Sequence, residues 1–171
     1  MEHERQLTTM QHTALTNASD LTLLQAAALL SGASAWNSRA IPTAHVPSFV
    51  MSDGPHGVRR QLGIADSEKA TCFPTASALA ATWNPDLARQ MGEALGTEAR
   101  GLGVNVLLGP GLNIKRSPLC GRNFEYLSED PILAGRMAAG LTQGIQSTGT
   151  AACPKHFAAN SQELRDRKSV V

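Results

Sequence analysis

Two stretches of the chain repeat apolar residues at helical spacing, and both open with the same device. Asn84-Pro85 puts a capping side chain ahead of a proline whose fixed φ suits a first helical turn. Leu87, Met91, Leu95 and Leu102 then recur, which predicts an amphipathic helix over residues 85–101. Asp130-Pro131 repeats the device, and Ile132, Leu133, Met137, Leu141 and Ile145 predict a second helix over 131–147. A shorter helix opens with the capping box Thr22-Leu23-Leu24-Gln25, places Leu23, Ala27 and Leu30 on one face, and is stopped by Gly32.

Between these, apolar runs too short for helices predict strands. Residues 47–51 (PSFVM) end abruptly in the turn signal Asp53-Gly54-Pro55. Residues 104–108 (VNVLL), between Gly103 and Gly109-Pro110, suit a strand buried on both faces of a parallel sheet. Residues 150–157 are the next strand, ending at Lys155-His156. Residues 1–20 read as a polar lead-in, 33–47 as a connection and 57–71 as a long surface loop. The alternation predicts an α/β fold with a parallel sheet and right-handed crossovers, which a (β/α)8 barrel and an open doubly wound sheet both satisfy. No GxGxxG follows a strand and no GxxxxGK[ST] occurs, so nucleotide-binding versions lose weight.

Composition narrows the classes. The 171 residues are enough for one domain with a real core. Fifteen Lys and Arg against 14 Asp and Glu leave a formal charge of +1, which argues against a nucleic-acid partner. The longest apolar run, residues 26–30, falls far short of the roughly 18 needed to span a membrane, and the N-terminus lacks the apolar segment of a signal peptide. Cys72, Cys120 and Cys153 are odd in number and form no CxxC, so the expectation is reduced thiols in the cytoplasm, with no metal site and no cofactor.

Three polar clusters follow the three strands directly. Asp53 and His56 follow the first, Arg116, Arg122, Glu125, Glu129 and Asp130 lie in the segment after the second, and Lys155 and His156 close the third. Loops at the ends of parallel strands converge on one mouth, where such folds place their sites. A carboxylate that accepts from adjacent hydroxyls, beside Arg and Lys donors, suits a polyol or a phosphorylated substrate. Structural readings stand beside these. Asp53 is also a fitting turn residue, His56 a structural or exposed one, and Glu129 and Asp130 fit the start of a helix. Arg116 and Arg122 can bridge Glu125 and Glu129 to order the loop, and Trp36 and Trp83 can be core or sugar-facing. Lys155, ending an apolar strand, is the residue least explained by structure alone. Glu163, Arg165, Asp166 and Arg167 read as a solvated, charged end.

Several strings together carry a resemblance. Residues 51–59 (MSDGPHGVR), 116–131 (RSPLCGRNFEYLSEDP) and 155–160 (KHFAAN, followed by Gln162-Glu163) are similar to three motifs of family 3 glycoside hydrolases, the bacterial β-glucosidase group. Residues 78–85 and 103–112 fit the spacers, and the likeness runs in order over about residues 20–165. It implies a TIM-type (β/α)8 barrel, here expected to be partial and cut off after about half of its strands, and a β-glucoside or oligosaccharide as substrate. It implies that Asp53 accepts from hydroxyls of the terminal glucosyl unit, that Arg122 donates to neighbouring hydroxyls and helps hold Asp53, and that Lys155 and His156 bind hydroxyls of the same ring. Family members use a retaining mechanism, with two carboxyl groups about 5–5.5 Å apart.

The sequence departs from the family at that point. The nucleophilic Asp belongs to a Ser-Asp-Trp type motif that does not occur here, and the acid/base Glu belongs further on, so no catalytic carboxylate is expected in this chain. Residues 166–171 (DRKSVV) do not match, which suggests a foreign or divergent tail after residue 165. The expected organisation is therefore a lead-in (1–20), the first part of the barrel (21–165) and that tail. A carbohydrate-binding module without catalysis, and a lyase or aldolase forming a Schiff base on Lys155, are the competing readings. Oligomeric state is left open.

Overall fold

The computed structural model describes residues 18–63 and 66–162, so the expectations for the lead-in before Ala18, for Glu163, Arg165, Asp166 and Arg167, and for the tail lie outside the described residues. The chain forms two compact units, Met1–Phe49 and Val50–Val171.

In the first unit, α1 (Leu23–Leu29) has the predicted capping box: Thr22 Oγ1 accepts the Gln25 N–H at 3.3 Å and Gln25 Oε1 accepts the Thr22 N–H at 2.8 Å. Its apolar face is not buried as the spacing suggests, since Leu23 and Leu30 are 85% and 91% exposed. Two turns of helix are here held by polar ties, including Gln25 Nε2 to Thr43 Oγ1 at 3.0 Å.

The second unit carries three parallel strands, β1 (Met51–Asp53), β2 (Val106–Leu108) and β3 (Ala151–Ala152), in the order β1-β2-β3, with Met51 opposite Val106 and Val106 opposite Ala151. Helix α3 (Pro85–Gly101) connects β1 to β2, and α4 (Pro131–Ser147) connects β2 to β3. Both helices have the predicted bounds because their caps form: Asn84 Oδ1 accepts from Asp86 and Leu87 N–H, and Asp130 Oδ1 from Ile132 and Leu133 N–H. A third helix, α2 (Ala76–Ala80), occupies a stretch that shows no large-residue periodicity; Thr75 caps it and Leu79 buries it.

The strands are shorter than the apolar runs. β1 starts at Met51 rather than Pro47, and β3 holds two residues rather than eight. Pro154 has no N–H to give the ladder, so the pairing breaks there and resumes as a single bridge between Gly111 and Lys155. In β2 only Leu107 is fully buried, and Val106 and Leu108 are half-buried, not enclosed on both faces.

The core joins Leu107 to Met91, Leu95 and Ala99 of α3 and to Met137, Leu141 and Ile145 of α4. Leu87 and Ile132, predicted on the inner stripes, are 40% and 66% exposed and lie outside that core. The helices approach backbone to backbone: a Cβ on Gly144 would sit 2.0 Å from the Arg89 carbonyl oxygen. Among the described residues no helix is long and apolar enough to cross a membrane.

Candidate functional site

The C-terminal ends of the three strands open on one cavity of about 700 Å³, within the usual range for small-ligand sites. Asp53, His56, Arg59, Arg122, Phe124, Glu125 and Lys155 are among the residues that line it. Asp53 ends β1, and the chain turns at once at Gly54, whose φ is +139° and whose added Cβ would lie 2.0 Å from the Gly57 carbonyl oxygen. Arg59 N–H returns to Asp53 O at 2.9 Å and closes the turn. Arg122 and Glu125 lie on the loop after β2, around the 3₁₀ turn Asn123–Glu125. Lys155 is fixed by its own main chain, N–H to Pro110 O at 2.9 Å and carbonyl to Leu112 N–H at 2.8 Å.

Glu125 is the centre of the charges. It is 2% exposed, pairs with Arg122 on one oxygen and stands 3.2 Å from Lys155 Nζ on the other. Burial pushes its carboxyl up, but the Arg122 hydrogen bond and the Lys155 ammonium together outweigh burial and hold it below the ordinary carboxylate range. An anion so held is a poor proton donor at neutral pH. Lys155 also reaches Asp53 Oδ1 at 3.5 Å, so one ammonium spans a buried and a half-exposed carboxylate. Asp53 keeps 42% of its side chain exposed, which leaves oxygen lone pairs for a ligand's hydroxyls.

His156 is placed differently. It is not among the residues lining the cavity; its ring is held from both nitrogens. A guanidinium only donates, so Arg122 Nη2 at 2.8 Å gives its hydrogen to His156 Nε2, and Nδ1–H donates to the Tyr126 hydroxyl at 2.8 Å. Asn113 clamps the His156 main chain from both sides, accepting its N–H at 2.6 Å and donating to its carbonyl at 3.1 Å. Tyr126 is fully buried and takes a further bond from Asn160 at 2.7 Å; burial raises its pKa, partly offset by that bond.

Sequence reasoning brought Asp53, Arg122 and Lys155 to one cavity and the structure places them there. It placed Glu125 in the polar cluster after the second strand and as a possible loop bridge, gave it no part in holding a ligand, and assigned no role to Asn113, Tyr126 and Asn160. Their signal was weak: each is a polar residue in a loop whose path the sequence does not reveal. Arg116 and Glu129 line a separate hollow with Lys115, whose pKa burial lowers and Glu129 opposes. Asp130 is a helix cap, Trp83 is 71% exposed, and neither tryptophan lines the cavity. Among the described residues no group of three His, Cys, Asp or Glu could hold a metal ion.

The comparisons with known proteins agree on one family. The profile described as "Glycosyl hydrolase family 3 N terminal domain" matches residues 4–168. Thermostable beta-glucosidase B of Acetivibrio thermocellus is 50% identical over 151 residues, covering 85% of this chain and 20% of that protein. An exo-alpha-(1->6)-L-arabinopyranosidase of Bifidobacterium longum is 49% identical over 151 residues, covering 84% and 20%. The chain thus spans about a fifth of the length of these relatives. Among solved structures, a Bifidobacterium adolescentis GH3 beta-glucosidase superposes with a TM-score of 0.80 at 47% identity, over 88% of this chain and 22% of that one. Beta-glucosidase 3B of Thermotoga neapolitana in complex with glucose gives 0.69 at 48%, over 74% and 18%.

Proposed function

We propose, since the chain belongs to glycosyl hydrolase family 3, that its charged cavity is part of the subsite holding a terminal, non-reducing β-D-glucosyl unit of a β-glucoside during retaining hydrolysis. The observation that carries the reading is the Asp53–Lys155–Glu125–Arg122 chain of charges around one cavity. Asp53 accepts from two neighbouring hydroxyls, and Lys155 and Arg122 donate to others, giving charge-assisted bonds. His156 serves the same sugar, holding Arg122 with one ring nitrogen.

The three parallel strands in sequential order are the first part of a TIM-type barrel in this reading. The bond-breaking carboxylates are not among the cavity's own. Glu125 is spoken for by two cations, and no Ser-Asp-Trp strand occurs in the sequence. By itself the chain binds a sugar and does not cleave it. The three free cysteines accord with a reducing, cytoplasmic location. The relative named for arabinopyranoside favours a second reading, in which the same residues hold a different terminal pyranosyl unit.

Calorimetric titration of the 171-residue chain with D-glucose and with L-arabinose tests both. Saturable glucose binding that Asp53→Asn weakens supports the first reading, and binding of L-arabinose alone selects the second. Binding of neither sugar sinks both, and release of nitrophenol from an aryl β-glucoside overturns the separation of binding from cleavage.

A further inference from the structure

We propose that His56 is a positioning residue of this cavity: a neutral imidazole, protonated on Nδ1, that ties the turn carrying Asp53 to the start of α2. Its effect on sugar binding rests on the glucosyl reading above; the tie itself does not.

A backbone N–H can only donate, and that of Ala76 points at His56 Nε2 from 2.9 Å. Nε2 must therefore present its lone pair, which leaves the ring's proton on Nδ1. Ala76 is the first residue of α2, and its N–H is one of those a helix cannot satisfy internally. Thr75 takes the N–H of Ala78, so the imidazole completes the cap from twenty residues away. The main chain of His56 grips the same returning segment, its carbonyl accepting the Phe73 N–H at 2.7 Å. On the other side of His56 lies the closed turn that begins at Asp53, with Gly57 N–H on Gly54 O at 3.3 Å. The direction of Asp53 into the cavity is thus set by a turn anchored at His56.

The ring itself lines the cavity and meets the Phe124 ring edge-on, at 6.1 Å between centroids and 74° between planes. Glu125 and Lys155 face it with opposite effects, and Asp53, Arg59, Glu68 and Arg122 line the same space. Burial lowers its pKa first, Glu125 opposing and Lys155 adding. A second proton on the ring would set an N–H against the Ala76 N–H and break the tie, so the neutral ring is the one that fits.

Nitrogen-15 NMR of the unmodified chain near neutral pH reads the tautomer directly. The expected result is an unprotonated Nε2 and a protonated Nδ1; the opposite tautomer, or a doubly protonated ring, overturns the proposal. Amide exchange at Ala76 is the second measurement. His56→Ala removes the acceptor and speeds exchange about tenfold, while His56→Gln, whose carbonyl can accept, stays near the parent; equal exchange in all three overturns the tie. Glucose titration then reads positioning. His56→Ala weakens binding about tenfold and His56→Gln restores it, and only the parent loses affinity as pH falls through the His56 titration. Unchanged affinity in His56→Ala overturns the positioning role. If the parent binds no glucose, the functional reading fails instead, and the first two measurements decide the tie alone.

Discussion

The α3–α4 contact and the cavity at the strand ends are built on opposite principles. Between the middles of the helices there is no room: Gly144 lies against the Arg89 carbonyl so closely that one methyl group does not fit. Around the cavity there is space and much charge, with Asp53, Arg122, Glu125 and Lys155 all within one network. The first region gains its stability from close packing, which is sensitive to volume and indifferent to pH. The second contributes little net stability, because desolvating charges offsets most of their attraction, yet it fixes where each donor and acceptor points. On the proposed reading the comparison teaches that folding and sugar binding are separable in this unit, and substitutions in each region should have different readouts.

The sharpest separation comes from Gly144→Val. Its branched side chain must displace the α3 backbone, and overpacking of this kind costs about 3 kcal/mol. Urea unfolding should show that loss, with the glucose affinity of the folded molecules unchanged; an unchanged midpoint would break the contrast at its first element. Glu125→Gln, within the cavity, should move both readouts. It leaves two cations around a buried neutral amide, a loss of about 2 kcal/mol once the 23% and 13% exposure of Arg122 and Lys155 is discounted, and it should lower glucose affinity as well. Full stability in that variant would show that the network is ornamental. Asp53→Asn belongs wholly to the cavity. Losing a charged acceptor should weaken glucose about tenfold, equivalent to about 1.4 kcal/mol, while the unfolding midpoint stays put. A large fall in stability would mean that Asp53 is a turn residue first.

The same division decided what could be read from the sequence. The two long helices were legible to their end residues because their capping signals, Asn84-Pro85 and Asp130-Pro131, are local chemistry. The strands were not, since apolar runs mark burial and not ladder bonds: residues 47–49 belong to the run but precede the first bond to β2, which the Val50 carbonyl accepts from Val106 N–H, and β3 ends before Pro154. Helix α2 was hidden because alanines carry no stripe, and its cap on His56 spans twenty residues of chain. In the cavity, Asp53, Arg122 and Lys155 could be named from motifs, whereas Glu125 became central only when the chain after β3 brought Lys155 onto a carboxylate that its loop neighbour Arg122 already pairs.

The smallest expected effect is also the one that ties the regions together, through pH. Two cavity groups have folded pKa values below their ordinary ones. His56 is lowered from 6.5, mainly by burial, and Glu125 from 4.5, where Arg122 and Lys155 overcome the opposing effect of burial. In both cases the unfolded chain takes up its proton first as pH falls, so both make stability decline toward acid. The windows differ. The His56 contribution is complete above about 6.5 and is lost as pH falls to its folded value, whereas the Glu125 contribution persists to about 4.5 and is lost only below it. Urea unfolding across this range should therefore show two acid limbs. His56→Gln should remove the upper limb and Glu125→Gln the lower. Because the Glu125 charge raises the His56 pKa, Glu125→Gln should also carry the end of the upper limb to lower pH. Gly144→Val should lower the whole curve without changing either limb. A Gly144 variant that altered the pH profile would show that the helix contact and the charged cavity are coupled after all.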